Sequence, residues 1–302
     1  MSTESTSATP AHAASSVPFL ERHYHLLRRL HSLSGIFPIG LFLIPHLTTN
    51  SSIVWGDVFN AKKYADYAST GPSGAGIATF QHEVDFIHNL PALIFVEIFV
   101  LWLPIAYHAI LGVYFARSGK SNTQRYSYQG NWRYSAQRIS GYIGVLFIFM
   151  HISSLRWGWT YGGIMPTFDP HAAASTTAIH MQGGIFPYFN ALFYAVCVSA
   201  LIFHFANGLW TAAITWGLTI SRQAQERWGY VCAVIGISLW GAGLTAVAGF
   251  TNLDVKKAEQ IEAQIQAASA DADSTSDTGS GAPRGVIFDP SAADQSVGQS
   301  GS

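Results

Sequence analysis

The sequence predicts an all-α integral membrane bundle of five transmembrane helices, with its N-terminus in the cytoplasm. Three observations predict it. Hydrophobic residues make up 49% of the 302 residues and charged ones only 11%, about half the charged share of a soluble domain. The apolar residues crowd into five runs. The basic residues collect in alternate connections between those runs.

A hydrocarbon core of roughly 30 Å takes about 20 apolar residues to cross. The runs lie at about 33–50, 88–115, 137–156, 186–216 and 229–250. The first begins some thirty residues in and no small-residue cleavage site follows it, so it reads as a span rather than a signal peptide. Cys197 and Cys232 fall inside the fourth and fifth runs, and the chain has no CxxC or CxxCH. Neither a disulfide framework nor covalent haem attachment is expected.

Orientation follows from the connections. Arg117, Lys120, Arg125, Arg133 and Arg138 flank or fill the second, Arg22, Arg28 and Arg29 precede the first run, and Arg222 and Arg227 follow the fourth. The opposite connections carry Asp57, Asp66, Glu83, Asp85 and Asp169 against Lys62, Lys63 and Arg156. Positive charge stays inside, so the N-terminus is expected inside and the C-terminus outside; the membrane expected is of the bacterial cytoplasmic type.

Residues 1–17 are Ser, Thr, Ala and Pro, a composition that buries no core. The bundle is expected over residues 18–251. Residues 252–302 read as a polar tail, with a short helix at "DVKKAEQIEAQIQAASA" and disorder from 271 on. The connection between the first and second runs, about 37 residues, is long enough for a lid or cap on the outer face.

Four histidines lie within the runs, one in each of the first four: His46, His108, His151 and His204. Ionisable groups at membrane depth are expensive, so each is a functional-site hypothesis. At 1.5 Å per residue, His46 sits roughly 25 Å and His151 roughly 20 Å from the inner side. His108 sits only roughly 14 Å and His204 roughly 18 Å from it. The histidines sort into an outer pair, His46 with His151, and an inner pair, His108 with His204. Two pairs at two depths point to two buried cofactors, each clamped between two helices.

Haem suits this arrangement, because neutral imidazole is a regular axial ligand of its iron and bundle cores host cofactors between facing helices. "AYHAILGVY" and "IFHFANGLW" each place a glycine four residues after the histidine. Residues i and i+4 share a helix face, so Gly112 and Gly208 leave space for a flat macrocycle. Gly35, three turns before His46, and Gly141, ten residues before His151, offer space from the facing side. Zinc suits it less, since four histidines at two depths do not converge on one tetrahedral centre. Glu97 is the one carboxylate inside a run, suited to a proton route or a polar contact between helices.

At these residues a resemblance is specific. "RRLHSLSGIFPIGLFLIPHL", "EIFVLWLPIAYHAILGVY", "YSYQGNWRYSAQRISGYIGVLFIFMHI" and "IFHFANGLWTAAITWG" resemble the two-haem cytochrome b anchor of succinate dehydrogenases and fumarate reductases, in its single-chain, five-helix form. The likeness spans about residues 22–250. It implies that His46 with His151 and His108 with His204 ligate two b haems. It also implies flavoprotein and iron–sulfur partner subunits on the cytoplasmic face, and electron transfer to a quinone, menaquinone in most five-helix members. "HEVDF" resembles the place where some members keep an acidic residue at an outer quinone site, which makes Glu83 the candidate proton relay, ahead of Asp85 and His82. His31 and Ser32 resemble propionate-contacting positions, with Arg29, Trp132 and Arg138 placed to assist. Other readings are the quinone-reactive cytochrome b of a hydrogenase or formate dehydrogenase and a histidine-relay transporter. No nucleic-acid partner is expected.

Overall fold

A computed structural model describes residues 19–118 and 129–278. The N-terminal tail, Lys120 and Arg125 of the basic connection, and the chain after 278 lie outside the described residues. Every regular element among the described residues is helical.

The first span, α1, is longer than the run that announced it. It extends over Tyr24–Phe59, as α-helix at Tyr24–Ser34, a π segment at Gly35–Gly40 and α-helix again at Leu41–Phe59. Pro38 lies in the π segment and brings no N–H to the ladder. Beyond residue 50 the polar stretch stays helical because its side chains bond back to the preceding turn. Thr48, Asn50, Ser51 and Ser52 donate to the carbonyls of Ile44, His46, Thr48 and Thr49.

The expected outer loop is therefore mostly helix. After Phe59 come a single turn at Ala65–Ala68 and then α2, Gly74–His88. The second span, α3, is Leu93–Ser118 and carries its own π segment at Glu97–Trp102. The third span lies in α4, Gln129–Leu155. A short helix in the next connection, α5, is Ala173–Gln182. The fourth and fifth spans are α6, Phe189–Thr215, and α7, Arg222–Thr251. The last helix, α8, runs over Val255–Thr278, longer than the stretch read from the sequence.

Among the described residues five helices are long and apolar enough to cross a membrane, and the chain is a multi-pass membrane protein. α6 packs on α4 and α7, α7 on α1, and α1 on α2 and α3. Leu47, Ile202 and Leu239 close the seam where α1, α6 and α7 meet. Phe37, Phe99, Ile110, Ile139 and Ile237 point outwards, a face suited to lipid rather than water.

At one end of the bundle, here the capped end, α2, α5 and the start of α8 form a layer. Gln81 stitches it, donating to Pro170 O and Asp85 Oδ1 while its own carbonyl accepts from Ala173 N. Glu262 is buried, and its Oε1 accepts from the backbone N–H of Ala174 and Ser175 at the start of α5. A carboxylate suits that terminus of a helix. The contacts divide the chain into two units, Met1–Glu262 and Ala263–Ser302. The described part of the second is the remainder of α8, 263–278.

Candidate functional site

The four span histidines meet in the two pairs that depth predicts. The ring centres of His108 and His204 are 6.2 Å apart, and those of His46 and His151 are 5.8 Å apart. Imidazole nitrogens sit about 2 Å from a first-row metal ion, so two on opposite sides of one ion put ring centres roughly 6 Å apart. Both pairs fit that spacing. Along α1 and α4 the two levels lie roughly 15 Å apart, from ten or eleven residues at 1.5 Å each.

The pair nearer the N-terminal end is held by an arrangement that occurs twice. His108 Nδ1 lies 2.9 Å from the carbonyl of His31, and His204 Nδ1 lies 3.0 Å from the carbonyl of Gln137. A carbonyl only accepts, so Nδ1 carries the proton in both rings and Nε2 keeps its lone pair for a metal. Three residues along, Ser34 Oγ and Ser140 Oγ lie 3.4 and 3.3 Å from the same nitrogens. Four residues along, a β-carbon on Gly35 would come 2.4 Å from His108 Cε1, and one on Gly141 would come 3.0 Å from His204 Cε1. These two glycines seat the imidazoles themselves.

Gly112 and Gly208 are filled differently. The space beside Gly112 holds the ring of His31, with Cε1 3.1 Å from a built β-carbon, and that beside Gly208 holds Gln137 Nε2 at 3.4 Å. His31 stacks on His108, centres 4.0 Å apart and planes 16° from parallel. Gln137 ties α4 to α6 by donating to His204 O and accepting from Asn207, which in turn accepts from Arg133.

The capped-end pair repeats at the level of aromatic packing. Phe42 stacks on His46 and Phe147 on His151, each four residues before its histidine. The spacing from Gly35 to His46 is eleven residues and from Gly141 to His151 ten. The π segment at Gly35–Gly40 explains the difference, since a π turn holds one residue more than an α turn. His151 Nδ1 meets the hydroxyl of Tyr194 at 3.2 Å. Tyr194 also packs edge-on against His180 of α5, whose Nδ1 donates to Pro166 O. Burial holds the His180 pKa below the ordinary imidazole range. Its Nε2 is buried and has no hydrogen-bond partner among the described residues.

The remaining sequence candidates divide. Ser32 accepts from the indole of Trp216, with Arg29 over the same ring, so these two form a cluster at the N-terminal end. Arg138 lies over the ring of Tyr134, and Trp132 is exposed. Glu83 sits on α2 rather than in a loop, and no hydrogen bond, ion pair or ring contact among the described residues ties it to the His46–His151 pair. Asp85 is engaged by Gln81, and His82 is exposed beside Tyr64. Glu97 makes the polar contact between helices, a two-pronged ion pair with Arg156 at 2.9 and 3.0 Å. That hydrogen bonding raises the Arg156 pKa above its ordinary value.

No family model matches the chain. Over 223 residues it is 36% identical to the succinate dehydrogenase cytochrome b558 subunit of Bacillus subtilis, an overlap of 74% of this chain and 95% of that protein. The chain belongs to the succinate dehydrogenase cytochrome b subunit family. For a cytochrome b subunit, the neighbours that sequence reasoning passed over are the ones that orient the histidines: Ser34, Gln137, Ser140, Tyr194 and His180. One signal was present for Ser34, Gln137 and Ser140. "HSLSG" and "QRISG", then "FLIPH" and "FIFMH", repeat between the first and third spans.

Proposed function

We propose that this chain is the membrane anchor of a succinate dehydrogenase, binding two b haems and passing electrons to a quinone. His108 with His204 hold the inner haem, and His46 with His151 the outer one. The observation that carries this reading is the spacing of the two imidazole pairs, 6.2 and 5.8 Å between ring centres, in a chain whose relative is named a cytochrome b. Among the described residues no three His, Cys, Asp or Glu side chains converge. His108 with His204 and His46 with His151 would each hold one haem, whose iron takes imidazole as a regular ligand.

Bound at two levels, the haems would supply one-electron carriers spanning most of the bilayer. The chain's own residues do the rest. Backbone carbonyls of His31 and Gln137 keep the Nδ1 protons in place, Tyr194 meets His151 Nδ1, and Gly35 and Gly141 let α1 and α4 close on the inner imidazoles. His31, Ser32 and Arg29 offer donors to anionic propionates at the N-terminal end. In this reading that end faces the cytoplasm, in keeping with the positive-inside rule, and Arg117 and Arg133 present positive charge there to the flavoprotein and iron–sulfur subunits. Quinone, menaquinone in this reading, is reduced at the capped end, with Glu83 as proton relay.

The test is haem stoichiometry in single variants. Wild-type protein in its complex should hold two haems per chain with bis-histidine spectra. His108→Ala or His204→Ala should lose the inner haem, and His46→Ala or His151→Ala the outer. Full haem content in all four variants would overturn the ligand assignment.

A further inference from the structure

The inner pair is seated twice over in the same way, and the repeat includes a group that neither packing nor ligation requires. Ser34 donates to His31 O at 2.9 Å and Ser140 to Gln137 O at 3.1 Å, as helical serines commonly do. What lifts them above that habit is where their oxygens lie. Each sits beside Nδ1 of a different inner histidine, at 3.4 and 3.3 Å, and each shares that nitrogen with the carbonyl to which it donates. The two serines belong to different helices, α1 and α4, and face the opposite members of one pair.

We propose that Ser34 and Ser140 are matched positioning residues that set the electron affinity of the inner haem; this rests on the reading of His108 and His204 as its axial ligands. With its O–H turned to the carbonyl, each serine presents the negative end of its dipole to the Nδ1–H. A negative dipole end beside that proton strengthens the imidazole as a ligand and favours the more positive, oxidised iron. Two such contacts, one on each ligand, act in the same direction. Removing a hydroxyl therefore makes the inner haem easier to reduce, while the outer haem, whose His151 meets a tyrosine instead, is unaffected.

The experiment is a redox titration of both haems in the membrane-bound complex, for wild type, Ser34→Ala, Ser140→Ala and the double variant. Each single change should raise the inner reduction equilibrium constant about threefold and the double change about tenfold, the latter about 59 mV for one electron. The outer midpoint and the haem content should stay as in wild type, and Ser34→Thr, which keeps the hydroxyl, should titrate like wild type. An inner midpoint that stays put or falls in the alanine variants, with both haems present, overturns the proposal and leaves the ligand reading standing. A wild-type complex without haem, or His108→Ala retaining both haems, overturns the ligand reading and this proposal with it.

Discussion

The imidazole of His108 rests on the bare backbone of Gly35, so closely that a β-carbon there would come within 2.4 Å of its Cε1. The contact joins α1 to α3 at the level where α1 turns into its π segment. A methyl group has no route out, since the obstacle is a stacked ring backed by His31. Gly35→Ala should displace the His108 ring at a cost of about 1–3 kcal/mol, the usual range for overpacking. Gly141→Ala, where the approach to His204 is 3.0 Å, should be milder. Absorption spectra of the two variants should show that order, with inner haem depleted more by the first.

The Glu97–Arg156 pair bridges α3 and α4 with two hydrogen bonds. Arg156 is half exposed and Glu97 mostly covered, at 49% and 14% side-chain exposure. Partial solvent screening keeps such a pair to about 1 kcal/mol or less. A double-mutant cycle with Glu97→Gln and Arg156→Met, read by thermal unfolding in detergent, should return a coupling of that size. A coupling near zero would show the bidentate geometry to be energetically idle.

His180 makes the capped end sensitive to acid. Its pKa in the folded protein is lowered by burial, with the bond to Pro166 opposing the shift. The folded state therefore binds its proton less readily than the unfolded chain. The stability it contributes is present above the ordinary imidazole pKa of about 6.5 and declines as pH falls below it. Protection factors for hydrogen exchange over residues 164–182 should fall as pH drops below about 6.5, and His180→Leu should flatten that dependence. An unchanged slope in the variant would assign the effect to another group.

Glu83 is the least anchored of the proposed residues. Glu83→Gln should keep both haems and their reduction by succinate, while quinone turnover falls about 10- to 10⁴-fold, the span for losing an acid–base group. Turnover equal to wild type would return Glu83 to the surface of α2 and move the search for a quinone site elsewhere.

The five spans and the pairing of the histidines were legible in the chain because both rest on one-dimensional quantities. Apolar length reports the membrane, and the count from a basic boundary reports depth. The ends of the spans were not legible. α1 continues to Phe59 through Thr48, Asn50, Ser51 and Ser52, residues whose polarity reads as loop until their hydroxyl and amide groups are seen satisfying their own helix. Glu83 belongs to a connection by apolar length and to a helix, α2, by structure.

What the sequence by itself determined is the membrane class, the number of spans and the level at which each histidine rides. What only the tertiary structure decided is which nitrogen of the His108 and His204 rings is left free. That depends on the carbonyls of His31 and Gln137, with the glycines across the seam seating the rings, groups of neighbouring helices that no linear spacing brings together. The extra residue on α1 makes the point most sharply. Counted along the chain, Gly35 and Gly141 are unequal, eleven and ten residues from their histidines. A π turn holds the additional residue, and both glycines come to rest on an imidazole of the inner pair.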